Sequence, residues 1–130
     1  MPTVLVMEPD RELGALMHAL LSEEACRPLV VHSIETAVDC LRREQVAVIV
    51  TELLDHVNGG PLWEAPRRLR EVTPTTPILV FTHHSDARDA SAIEGVVEAV
   101  LVKPIDLDRL VNRVAELASE RCRGAAPASC

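Results

Sequence analysis

The sequence predicts an α/β fold in which five parallel strands form a doubly wound sheet with helices on both faces. Three observations lead there. Five short apolar runs, Val4 to Met7, Leu29 to Val31, Val46 to Val50, Ile78 to Phe81 and Val100 to Val102, lack polar alternation, as strands covered on both faces do. The segments between them carry apolar residues at helical spacing. Strand and helix alternate five times within 120 residues, which calls for right-handed crossovers and places any functional cleft at the carboxyl ends of the strands.

Each element has its own signals. After the first strand, Leu13, Leu16, Met17 and Leu20 follow the i, i+3, i+4, i+7 pattern, and Asp10 stands where an N-cap belongs. Ile34, Ala37, Val38 and Leu41 repeat the pattern behind Ser33. Pro66 would break a helix begun at Gly60, so the third helix is expected to start late, with Pro66 in its first turn, and to run through Leu69 to about Glu71. That leaves Asp55 to Ala65 as a long loop. Asp86 can begin the fourth helix and Gly95 end it, and Asp106 can cap the last, which carries Leu107, Leu110, Val111, Val114, Leu117 and Ala118.

At 130 residues one domain is expected, spanning 1–120, with 121–130 as a flexible tail that contains Gly, Ala, Pro and Ser. Aromatics make up only 2% of the chain, so the core must be built from Val, Leu, Ile and Ala. A net charge of -7 with no offsetting basic patch speaks against nucleic-acid or anionic-membrane partners. No apolar run approaches a membrane span and no signal-peptide pattern opens the chain, so the cytosol is the expected location. Cys26, Cys40, Cys122 and Cys130 are widely scattered and are expected as reduced thiols, not as a zinc site or a disulfide framework.

Four predicted strands end in polar residues: Glu8-Pro9-Asp10, Glu52, Thr82 and Lys103-Pro104. Converging on one rim, they form a set suited to a phosphoryl group, because carboxylates hold a divalent cation while a hydroxyl and an ammonium bind phosphoryl oxygens. Taken singly, Glu8 and Asp10 also read as a loop carboxylate and a helix cap, and Lys103 as a solvated lysine.

Over Thr3 to about Ala118 the chain resembles the receiver domain of bacterial two-component response regulators. The resemblance rests on Val4-Leu5-Val6-Met7-Glu8-Pro9-Asp10, Val48-Ile49-Val50-Thr51-Glu52, Asn58-Gly59-Gly60, Pro77-Ile78-Leu79-Val80-Phe81-Thr82 and Val100-Leu101-Val102-Lys103-Pro104. It implies a flavodoxin-like (βα)5 fold with strand order 2-1-3-4-5. It also implies an aspartate after strand three that takes phosphate from a histidine kinase, an acidic pair after strand one that binds magnesium, and a Thr and Lys that respond to the phosphoryl group. Thr82 and Lys103 match by position, as does the Lys103-Pro104 peptide, which in the family is often cis.

Three positions depart from that pattern. Glu52 stands in place of the acceptor, Glu8-Pro9 in place of two aspartates, and Val100 in place of the switch aromatic of strand five. The extra methylene of Glu52 moves its carboxylate by about a bond length, and displacements near 1 Å can cost on the order of a hundredfold in rate. Pro9 removes a hard oxygen ligand, so magnesium held by Glu8, Asp10 and Glu52 is expected to be weak, with Asp10 compensating in part. The longer Glu52 side chain can instead reach toward Lys103 and Thr82 and fill the space of a phosphoryl group.

The expected function is therefore a pseudo-receiver: a signalling module that works by protein–protein contact without phosphotransfer, is not an enzyme and requires no cofactor. The resemblance places its partner or homodimer surface within Asp86 to Ala118, where Ala87, Ala90, Ile93 or Val97 would supply an apolar patch. Two rivals stand beside it: a receiver that still accepts phosphate from a histidine kinase with magnesium, and a metal-dependent hydrolase in the same cleft. Other rim residues also have two readings. His56, His83 and His84 could join a carboxylate in a transition-metal site, or be surface residues. Asp55 reads as a solvated turn residue more than a substitute acceptor, and Arg67, Arg68 and Arg70 as a solvated helix face.

Overall fold

The computed structural model describes residues 1–53, 63–83, 96–103 and 107–124. In chain order the elements are β1 (Thr3–Met7), α1 (Arg11–Glu23), β2 (Arg27–Val31), α2 (Ile34–Arg43), β3 (Val48–Thr51), α3 (Glu64–Val72), β4 (Ile78–Thr82), β5 (Ala99–Val102) and α4 (Leu107–Gly124). The strands form one parallel sheet in the order β2-β1-β3-β4-β5, the expected arrangement. The Asp86 cap, Gly95, Ala87, Ala90, Ile93, Asp106, Pro104, Asn58-Gly59-Gly60 and Cys130 lie outside the described residues.

The lack of polar alternation in the strands has a direct structural cause, since successive side chains enter two different cores. Val4, Val6, Val48, Val50, Leu79 and Phe81 face α1 and α4, where they meet Met17, Leu21, Leu110, Val114 and Leu117. Leu5, Met7, Ile49 and Ile78 face the other way, onto Ile34, Ala37, Val38, Ala65 and Leu69 of α2 and α3.

The helix ends follow side-chain chemistry. Asp10 accepts from the Glu12 and Leu13 N–H groups, and Ser33 from that of Thr36, which satisfies orphan donors at the starts of α1 and α2. Pro66 sits in the first turn of α3, where its missing N–H has no helical partner to lose. Beyond α1, Ala25 adopts a left-handed φ of 58° and the Cys26 N–H reaches back to the Leu21 carbonyl at 3.2 Å, a Schellman closure made without glycine.

Four expectations are corrected. α1 buries Gly14, Met17 and Leu21 and leaves Leu16 50% exposed, so its inner face is rotated from the predicted one. The reason is close packing: a Cβ on Gly14 would lie 3.0 Å from Val30 Cγ1, and that approach sets the orientation of the helix. α4 continues through Arg121 and Cys122, residues expected in the tail, and Arg121 donates to the Thr75 carbonyl at 2.8 Å. Cys122 is disulfide-bonded where a reduced thiol was expected, whereas Cys26 and Cys40 are free thiols.

Arg70 is the fourth correction. Instead of lying on a solvated face with Arg67 and Arg68, it turns inward and donates to four carbonyls: Val96 (2.6 and 3.0 Å), Thr73 (3.1 Å), Pro74 (3.1 Å) and Thr76 (2.7 Å). It closes the end of α3 and ties the following turn to the segment entering β5. Arg70→Met is expected to remove about 2 kcal/mol of stability, the scale of hydrogen bonds to a charged group. A urea midpoint equal to the wild type at unchanged slope would show that water satisfies these carbonyls equally well.

Candidate functional site

The rim is built by the ladder of the sheet. One residue past each strand end the parallel pattern continues: the Glu8 N–H donates to the Val31 carbonyl at 2.9 Å, Glu52 to Met7 at 3.0 Å, and Lys103 to Thr82 at 2.7 Å. This fixes three backbone positions side by side, and Thr82 closes β4 between them. Their side chains then have no choice but to share one small space.

Within that space Glu8 and Glu52 are nearly fully buried, at 3% and 4% exposure. The Lys103 ammonium donates to Glu8 Oε1 and to Glu52 Oε2, each at 2.8 Å. It also lies 5.1 Å from the centroid of the Phe81 ring, whose negative face favours a cation. The other two carboxylate oxygens are occupied as well. Glu52 Oε1 accepts the Leu53 N–H at 2.7 Å, and Glu8 Oε2 accepts the Asp10 N–H at 3.2 Å. Thr82 adds a side-chain hydrogen bond to Glu52, and His83 Nδ1 lies 3.3 Å from Glu52 Oε2.

Burial alone would push the Glu52 carboxyl up, but hydrogen bonds from Lys103 and Thr82, the Lys103 charge and the Leu53 N–H outweigh it, so the group sits below its ordinary value. For Lys103 burial acts downward, and the bonds and charges of Glu52 and Glu8 reverse this, leaving it above its ordinary value. Both shifts favour the charged forms. The site is a carboxylate–ammonium–carboxylate triad.

Asp10, expected beside the other acids, uses Oδ1 to cap α1. Among the described residues no group of three or more His, Cys, Asp or Glu is placed to hold a metal ion. The magnesium ligands implied by the resemblance do not fit one here, since Glu8 and Glu52 hold Lys103 and Pro9 offers no side-chain oxygen. Asp55, His56, His84 and Pro104 lie outside the described residues. Val100 pairs with Val80 and packs with Leu53 and Trp63, so the position of the missing aromatic joins a small apolar cluster. Val97 is partly buried and packs against the same cluster.

Two residues escaped the sequence reading. Phe81 reads from sequence only as a strand residue, although from its place directly before Thr82 its ring lies 5.1 Å from the Lys103 ammonium. His32 follows β2 and its Nδ1 lies 2.8 Å from the Glu8 carbonyl, which assigns the proton to that nitrogen. Including the end of the second strand in the rim would have found it.

Comparison with known proteins agrees with the fold. Among curated sequences, the chain is 28% identical over 109 residues to the autoinducer 1 sensor kinase/phosphatase LuxN of Vibrio campbellii, covering 84% of this chain and 13% of that protein. It is 28% identical over 115 residues to the transcriptional regulatory protein CpxR of Escherichia coli, covering 88% and 48%. The chain thus spans about half the length, or less, of these relatives. Among solved structures, the response regulator receiver domain protein from Clostridium thermocellum superposes with a TM-score of 0.80 at 16% identity, covering 96% of this chain and all of that one. The signal receiver domain of a LuxO repressor protein from Vibrio parahaemolyticus gives 0.79 at 22%, covering 95% and 94%. These likenesses show the shared five-stranded fold. The family model described as response regulator receiver domain matches residues 4–115, and the chain belongs to that family, the receiver domains of two-component signalling.

Proposed function

We propose that this receiver domain signals by protein contact without taking a phosphoryl group. One observation carries the reading: the carboxylate at the acceptor position already has a partner on each oxygen, Lys103 at 2.8 Å and the Leu53 N–H at 2.7 Å. A carboxylate attacks phosphorus through an oxygen lone pair aligned with the leaving group, and the buried Glu52 would have to give up a charged hydrogen bond to offer one. Lys103 and Thr82 are drawn to Glu52 as they would be to a transferred phosphoryl group. The domain is accordingly read as held in an engaged state by its own side chain.

The partner surface remains the region around β5 and α4. Its described outer face, with Asp108, Arg109, Asn112, Arg113 and Glu116 exposed, is polar and of mixed charge. That composition suits a transient contact steered by complementary charge. No helix among the described residues is long and apolar enough to cross a membrane.

The test is incubation with a small acyl phosphate and magnesium followed by intact mass. The unmodified mass is expected. A stoichiometric gain of about 80 Da, one phosphoryl group, would overturn the proposal in favour of a receiver that accepts phosphate, as from a histidine kinase.

A further inference from the structure

We propose that the Lys103 ammonium is the resident cation of the acidic rim and keeps divalent ions out of it. The claim concerns what occupies the rim and stands apart from whether Glu52 can be phosphorylated. It begins with side-chain length. Glu8 and Glu52 are each one methylene longer than aspartate, and from adjacent strand ends both reach the same point, where Nζ is 2.8 Å from an oxygen of each. Phe81 covers a further side of the ammonium.

A divalent ion competing for this place would need several oxygens at once, since magnesium demands a near-octahedral shell and calcium six to eight ligands. The rim cannot assemble them without being dismantled. All four oxygens of Glu8 and Glu52 already accept a hydrogen bond, Asp10 Oδ1 serves the α1 cap, and Pro9 contributes none. Binding a metal would mean expelling a partly buried ammonium into water and breaking two charged hydrogen bonds. The electrostatics run the same way: two carboxylates facing one ammonium leave one uncompensated negative charge, a weaker draw for a divalent ion than the two left once that ammonium is gone.

The inference makes a reciprocal statement about the wild type and a variant. Removing the ammonium with Lys103→Ala leaves two buried carboxylates and an opened space, which converts a metal-indifferent rim into a divalent-cation site. The experiment titrates the full chain, wild type and Lys103→Ala, with MgCl2 and CaCl2, following the thermal midpoint, and with Mn2+ followed by its electron paramagnetic resonance signal. The wild-type midpoint is expected to stay within about 1 °C at roughly 10 mM metal, while the variant gains more than about 3 °C. Wild-type protein that is stabilised by magnesium or binds stoichiometric Mn2+ overturns the proposal, as does a folded variant that ignores all three ions. Should Lys103→Ala prove unfolded without metal, the wild-type Mn2+ titration decides, since free Mn2+ signal throughout supports the proposal and its loss refutes it. A wild type that binds metal yet gains no mass with acyl phosphate would sink this inference alone. A mass gain in a protein that binds no divalent ion would sink only the reading of the preceding section.

Discussion

Lys103→Met is expected to lower the unfolding free energy by about 3 to 5 kcal/mol at about pH 8, the range seen when one partner of a buried ion pair is removed. The size follows from what is left behind. Methionine fills similar volume, so little of the loss is cavity, but Glu8 and Glu52 remain buried as two carboxylates without a counter-ion. Dependence on pH identifies this cause. In the wild type, Glu52 lies below its ordinary value of 4.5, so its contribution is fully present above that pH and is lost as pH falls through the lower folded value. Lys103 lies above its ordinary value of 10.5, so its contribution is fully present below that pH and is lost as pH rises through the higher folded value. The wild type therefore has a plateau between the two. In the variant the alkaline loss tied to Lys103 disappears. Its deficit narrows on acidification, because burial without a partner raises a carboxyl and protonation then relieves the site. Urea midpoints from about pH 3 to 12 check this. A constant deficit below about 1 kcal/mol at every pH would mean that the triad contributes nothing beyond packing.

The parts of this fold that could be read from sequence are those fixed by burial. Runs such as Val48 to Val50 and Ile78 to Phe81 are apolar on both faces because both faces are covered, so the strand pattern survives without any knowledge of neighbours. The rim followed from the same fact, since parallel strands must end on one side and Glu8, Glu52, Thr82 and Lys103 each end or follow one. What periodicity could not settle was the choice among equivalent apolar positions. Leu16, Leu20 and Leu21 all fit an inner face of α1, and the contact of Gly14 with Val30 decided between them. Long polar side chains were the other blind spot. Arg70 reads as a surface residue until the turn after α3 presents carbonyls to it, whereas the cap that Asp10 gives α1 was legible from its place before the helix and only its share in the rim was overread. Arg70 answers orphan backbone groups whose positions exist only in the folded chain.

Glu52→Asp paired with Pro9→Asp tests which of the departures from the family pattern silences the acceptor. The single change Glu52→Asp withdraws the carboxylate by about a bond length, loosening its 2.8 Å contact with Lys103 and freeing an oxygen for attack. It does nothing for the cation, because Pro9 still supplies no ligand and Glu8 still holds Lys103. Labelling by a small acyl phosphate with magnesium is therefore expected to remain close to background. In the double variant a second carboxylate joins the rim while the grip on Lys103 is halved, and the labelling rate is expected to rise on the order of a hundredfold above the single variant. Intact mass over time separates the outcomes. Fast labelling of Glu52→Asp alone would show that the length of one side chain accounts for the whole effect and that Pro9 is incidental. Failure of both variants, each folded, would move the block to Glu8, the remaining carboxylate that holds the ammonium where a metal ion would have to enter.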